Sequence, residues 1–308
     1  MRWRFVIRSV GVLTLLLGLT MLLPVLTGLY YRDASLSAGL LAAGITMVVG
    51  ALMVLGCRGE TTDRISQREA MAIVTLGWSS AGLFAALPFY LGGEIPLFSD
   101  AFFESISGLT TTGASILTDI EKLSRGLHLW RCFIQWLGGM GIIVLGLAIL
   151  PLLGVGGMQL FKAEVPSPTP DKLKPRIRQT AGLLWKVYAL ISAAEVAILL
   201  LGGMTFFDAI CHTFTTMPTG GFSTKAASVA HYDSVFIDGA IIFFMMLAGI
   251  NFSLHYQLLR GKPLAFWRDA ECRFFLLVVF ALVMIVSWDI YGDHYDGVGE
   301  ALRFGAFQ

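Results

Sequence analysis

Apolar residues run through this chain in long blocks, and polar residues gather in the stretches between them. Seven blocks approach or exceed the roughly 20 residues that carry a helix across a bilayer: 7–31, 35–56, 70–92, 129–157, 180–203, 235–259 and 274–290. Two shorter blocks, 98–109 and 206–217, each hold about a dozen residues. At about 1.5 Å per residue such a helix cannot cross about 30 Å of hydrocarbon. Each is predicted to enter the membrane and turn back. The returning loop must be buried in protein or line a wet cavity, because lipid cannot satisfy its backbone. The first block starts among Arg2, Arg4 and Arg8, as a signal peptide would. Its length, and the lack of a small-residue cleavage pattern after it, predict a retained helix.

The order of long and short blocks repeats. A span, a short block, a threonine-glycine loop and a span recur, with GLTTTGASI at 108–116 and TMPTGGFST at 216–224. Gly113 and Gly221 lie 108 residues apart, and Asp100-Ala101 and Asp208-Ala209 each precede their glycine by 13. An ungapped match of that length predicts an internal repeat. The predicted fold is an all-α polytopic membrane protein built from units of membrane helix, reentrant helix and loop, and membrane helix, as in potassium channels. Two leading transmembrane helices occupy 1–57, the first pore-forming unit 58–157 and the second 158–259. Residues 260–308 read as the start of a third unit, cut before its loop.

Charge adds a direction. Of the 22 Lys and Arg, 16 fall in the N-terminus, 58–69, 158–186 and 260–273, which predicts a cytoplasmic N-terminus and outward-facing threonine-glycine loops. Thirteen of the 21 acidic residues sit on the outer side. They would concentrate cations at the mouth, although outer loops that merely avoid Lys and Arg give the same pattern. The proline-rich, basic segment 162–176 reads as a solvated connector. Composition fits the membrane reading, with 56% hydrophobic and 14% charged residues. Four cysteines without C-x-x-C and five histidines without H-E-x-x-H give no metal or catalytic cluster. The expectation is no enzyme, no cofactor and no nucleic-acid partner.

The loops suggest their own chemistry. A cation stripped of water needs oxygens in its place, and converging backbone carbonyls supply them without fixed charge. Glycine allows the required dihedrals, threonine adds a hydroxyl, and the short helices would aim their partially negative C-terminal ends at the ion. Two loops cannot surround an ion, so four would come from two chains or from a longer one.

FESISGLTTTGASI (103–116), the glycine-rich stretch 136–164, the run from DAICHTF to TGGFSTK (208–225), GINFSLHYQLLRG (249–261) and FWRDAECR (266–273) carry a resemblance. The chain resembles the membrane subunit of Trk-type bacterial potassium uptake systems, in the Trk/Ktr/HKT cation transporter superfamily. The resemblance implies four repeats around one pore, potassium as the transported ion, homodimers, and a peripheral cytoplasmic nucleotide-binding regulatory subunit in the bacterial inner membrane. It places the filter at Thr111, Thr112 and Gly113 in the first unit and at Thr219, Gly220 and Gly221 in the second. Further filter loops would lie beyond Gln308, so these 308 residues alone are expected to insert but not conduct.

Other residues stand out. Glu195 lies mid-span, where an ionisable group is costly. It reads first as a protonated carboxyl bonded to the neighbouring reentrant helix, and second as a coupling site. Asn251 reads as an interhelical hydrogen bonder, with a pore-lining role as the alternative. Gly138, Gly139, Gly141, Gly146 and Gly154 permit close helix approach or bending below the filter. Serine at Gly113 or Gly221 is expected to weaken ion preference while the spans still carry insertion. The competing reading is a non-conducting scaffold or sensor whose reentrant loops only pack.

The charge split makes a direct prediction. Cysteines placed at Asp119 and Asp233 should react with an impermeant reagent applied to sealed cells, and one at Thr169 should not. Labelling at Thr169 from outside would reverse the orientation.

Overall fold

A computed structural model of the chain describes residues 1–57, 66–149, 177–292 and 294–307. The connector 162–176, Thr169, Gly154, the end of the block predicted at 129–157 and most of the basic stretch 58–69 lie outside them. Apart from an isolated bridge between Tyr291 and Tyr295, the regular elements among the described residues are helices. The protein is an all-α membrane protein.

The leading span is two helices, α1 (Trp3–Thr20) and α2 (Leu22–Tyr31), interrupted at Met21. Pro24 explains the interruption, since it has no N–H for the carbonyl four residues back. Next come α3 (Ser35–Gly56), α4 (Gln67–Ala85) and the short α5 (Leu87–Leu91). Pro88 follows the break between α4 and α5 in the same way. Here the indole N–H of Trp130 donates to the carbonyl of Ala85 at 2.9 Å.

The short block at 98–109 is α6 (Phe98–Leu109), too short to span, and α7 (Arg125–Ile149) leads back from its loop. The pattern then recurs as α8 (Ile177–Leu201), α9 (Phe206–Thr216) and α10 (Val235–Gly249). It starts again with α13 (Ala270–Ile290) and α14 (Val298–Phe307), after the short α11 (Phe252–Leu259) and α12 (Ala265–Arg268).

The block predicted as one span at 235–259 is bent: α10 and α11 meet at 102°. Ile250 is extended at the break, and the Asn251 side chain caps α11 by accepting from the Ser253 N–H at 3.0 Å. His255 sits 2.8 Å from the Leu247 carbonyl, supplying a partner for a group the break exposes. An apolar run shows no such break, because composition alone does not report where hydrogen bonding stops.

Contacts sort the helix ends onto two faces. On one, Arg2 donates its backbone N–H and its guanidinium to Glu69, which also closes the capping box of Ser66 at the start of α4. On the other, Asp33 accepts from the Gly126 N–H, Glu94 from the Ser124 N–H, and Glu121 from the Ala226 N–H. Both threonine-glycine loops belong to this second face.

A cluster including Met21, Phe89, Ile95, Trp130 and Ile134 joins the leading helices to the first unit. By contrast, Leu201 and Trp288 are 83% exposed, which suits contact with lipid rather than water. At the centre, α7 packs against α2, α6, α8 and α9. Gly138 and Gly139 make this possible. A Cβ at Gly138 would lie 2.0 Å from the Leu109 carbonyl oxygen, and one at Gly139 would lie 2.6 Å from Pro218 Cβ. The two residues therefore seat the end of α6 and the turn after α9 against one helix. Gly141 is different, because a Cβ there meets Trp78 at an ordinary 3.7 Å.

Gly138→Ala should therefore destabilise the purified protein in detergent by about 1–3 kcal/mol, the cost of overpacking against backbone. Gly44→Ala, in a helix with no atom within 4 Å of the new Cβ, should be neutral or mildly stabilising. Equal melting temperatures for the two variants would refute the close-approach role.

Candidate functional site

The two loops share one backbone. After α6, the Thr111 N–H donates to Gly108 O and the Thr112 N–H to Ser107 O, both at 2.9 Å. After α9, the Thr219 N–H donates to Thr216 O at 2.9 Å and the Gly220 N–H to Thr215 O at 2.8 Å. These are the paired bonds of a Schellman helix end, in which the residue past the cap turns left-handed. That residue is usually glycine. Here it is Thr111 with φ 55° and Thr219 with φ 58°, followed two residues on by Gly113 and Gly221 at 77° and 78°. Among the described residues these two threonines are the only β-branched ones with positive φ. The left-handed region costs a non-glycine residue roughly 1–2 kcal/mol. Bearing that cost twice at equivalent positions indicates a loop built for a particular carbonyl geometry.

The supports behind the loops are also paired. The Ser115 hydroxyl donates to Glu104 on α6 and accepts from the Leu117 N–H. At the same positions in the second unit, the Ser223 hydroxyl meets His212 Nε2 on α9 at 3.2 Å and accepts from the Lys225 N–H. Glu104 also accepts from the Ile116 N–H.

One side chain spans both units. Arg131 on α7 is 1% exposed and Glu104 is fully buried, and Arg131 Nε donates to Glu104 Oε1 at 2.6 Å. A second guanidinium nitrogen reaches the Ser223 carbonyl at 3.3 Å, and the guanidinium lies 3.5 Å from the centre of the Phe222 ring. His128 Nε2 lies 3.2 Å from the same carbonyl. Removing one partner from such a buried pair costs about 3–5 kcal/mol.

The loops touch each other directly. A Cβ on Gly113 would sit 1.9 Å from the Gly220 carbonyl oxygen, and one on Gly220 would overlap the Gln135 amide. Gln135, fully buried, accepts from the Phe222 N–H at 3.4 Å. The structure thus brings together all six residues expected at the filter: Thr111, Thr112, Gly113, Thr219, Gly220 and Gly221.

With this geometry established, comparison with known proteins decides the family. Residues 40–292 match the model of the TrkH family, described as cation transport protein. The chain belongs to the TrkH family. It is 43% identical over its full length to the Trk system potassium uptake protein TrkH of Salmonella typhimurium, and 44% identical over 98% of its length to that of Escherichia coli K12. It spans 64% of the length of each. The crystal structure of the potassium transporter TrkH from Vibrio parahaemolyticus superposes with a TM-score of 0.88 at 35% identity, covering the whole chain and 63% of that structure.

Within this TrkH-family fold, Glu195 and Asn251 sit apart from the loops in different ways. Glu195 is fully buried on α8, and neither carboxylate oxygen has a hydrogen-bond partner. Thr216 on the reentrant helix α9 is the neighbour that bears on this carboxyl, and its hydroxyl donates to the His212 carbonyl at 2.9 Å. Asn251 is the cap at the α10–α11 break, accepting from the Ser253 N–H.

Sequence reasoning missed Arg131, Glu104, Gln135, His128 and His212. Arg131 counted only as one of the few basic residues on the outer side, yet it is buried inside α7. The available signal was a basic residue within an apolar block, together with serine two places after each glycine.

Both filter glycines sit at positive φ, which alone sets a cost of about 1–2 kcal/mol for serine at either. Gly113→Ser adds a clash with the backbone of the other loop and should yield markedly less folded protein than the wild type by size-exclusion chromatography. A wild-type yield would contradict the contact between Gly113 and Gly220.

Proposed function

We propose that this chain forms part of a pore that takes up potassium across the bacterial inner membrane. The observation that carries the reading is the duplicated left-handed threonine and glycine backbone at the ends of two helices too short to span. Carbonyls of Thr111, Thr112 and Gly113, and of Thr219, Gly220 and Gly221, replace the water of the ion. The units 58–157 and 158–259 each contribute one loop, and further loops complete the ring. The relatives' names, potassium uptake protein and potassium transporter, support the choice of ion.

The N-terminus is cytoplasmic in this reading, on the face where Arg2 meets Glu69, and the loops open outward. Second copies of the chain and a peripheral cytoplasmic nucleotide-binding subunit are the partners that the resemblance implies. Glu195 remains a residue for pore or coupling work, since its carboxyl lies unpartnered beside the second reentrant helix. Asn251 belongs to the break below the second loop.

The test uses the chain at the relatives' full length in a strain deficient in potassium uptake. The wild type should restore growth at low potassium. Gly221→Ser should reach the membrane in similar amount but lower the ratio of potassium to sodium uptake. An unchanged ratio would remove Gly221 from the filter, and absence of rescue by wild type would favour the scaffold.

A further inference from the structure

The filter reading concerns the atoms that face the ion. Arg131 faces none of them, yet it is the side chain that bonds to both units at once. Its Nε bonds Glu104, which holds Ser115 and Ile116 just past Gly113. Another of its nitrogens bonds the carbonyl of Ser223, two residues past Gly221, and its plane covers Phe222 between them. Resting on the filter reading, we propose that Arg131 is a positioning residue for ion selectivity. It fixes the spacing between the first and second loops from inside α7.

The chemistry of the side chain fits this role. Arginine presents several donors in one rigid plane, so it can bond two acceptors in different directions while stacking on a ring. Lysine keeps the charge but is a point donor on a flexible stem. The surroundings fix the plane. Glu104 is fully buried, His128 places a second ring nitrogen on the Ser223 carbonyl, and Ser223 is held again by His212 through its hydroxyl. The carbonyl of Ser223 is thereby engaged from behind.

Selectivity has been ascribed both to the width of a filter and to the number of carbonyls facing the ion. Either account requires neighbouring loops to keep a set distance. The direct contact of Gly113 with the Gly220 carbonyl sets how close they come, and Arg131 holds them from separating.

A pair that served folding alone would behave differently. Replacing both members of a buried ion pair with uncharged groups of similar size is often harmless to stability. The double variant Arg131→Met with Glu104→Gln should therefore accumulate in the membrane. Glutamine can still accept from the Ile116 N–H, but the bond to Ser223 is gone. Glu104→Gln alone leaves a guanidinium unpaired close behind the loops. That charge opposes cation entry, so its half-saturation concentration for potassium should rise above that of the double variant.

The experiment measures initial rates of potassium and sodium uptake into liposomes. It uses the chain at the relatives' full length, normalised to incorporated protein. Arg131→Lys and the double variant should incorporate normally and lose about tenfold of the potassium-to-sodium ratio. Arg125→Gln, on the same helix but stacked on Tyr31 and Phe207 away from the loops, should keep the wild-type ratio. If Arg131→Lys does not incorporate, the double variant decides alone. A wild-type ratio in the double variant, or failure of both variants to incorporate, overturns the proposal and leaves Arg131 a folding residue. A wild type that moves no potassium overturns the filter reading as well.

Discussion

A backbone that turns back inside a bilayer finds no water there, and every N–H and C=O it exposes needs a partner from the protein. The architecture around residues 110–117 and 218–225 answers that requirement. Helix-end bonds take the first N–H groups of each turn, and a serine two places after each glycine captures another. Glu104 and His212 hold the serines in turn. With these N–H groups held, carbonyls of the loops are left to face an ion. The strain of two left-handed threonines, a few kcal/mol together at most, is tolerated because these bonds over-determine the loops.

The same accounting explains the breaks elsewhere. Where α4 gives way to α5, the indole of Trp130 serves the carbonyl of Ala85, and where α10 gives way to α11, His255 serves that of Leu247. Both of these breaks recruit a polar side chain from beyond the interruption. Glu195 does not follow this rule, since both of its oxygens are buried without a partner. Asn251, by contrast, has a defined bond as the cap of α11.

Much of this was legible in the sequence. The short blocks match α6 and α9 to within a residue, because apolar runs bounded by Thr, Gly and Asp mark their own ends. The register of 108 residues reappears in backbone angles and in hydrogen bonds alike. The bend at residues 250–251 was not legible, since 235–259 is long enough to be read as one span and hydropathy does not report where hydrogen bonding stops. Nor was the role of Arg131. Its partners are 27 and 92 residues away in different units, and a periodic pattern reports what shares a helix face, not what meets across a fold. Gly138 and Gly139 were read correctly as places of close approach, while Gly141 proved to have room for a methyl group.

The direct touch between Gly113 and the Gly220 carbonyl also bears on how such a protein can change over generations. In a ring of identical subunits, one altered codon strikes every loop at the same time. Here the copies are encoded separately, and the groups behind them differ: Glu104 holds the serine of the first loop and His212 that of the second. A change in one copy therefore alters one side of the loop pair and leaves the other as it was.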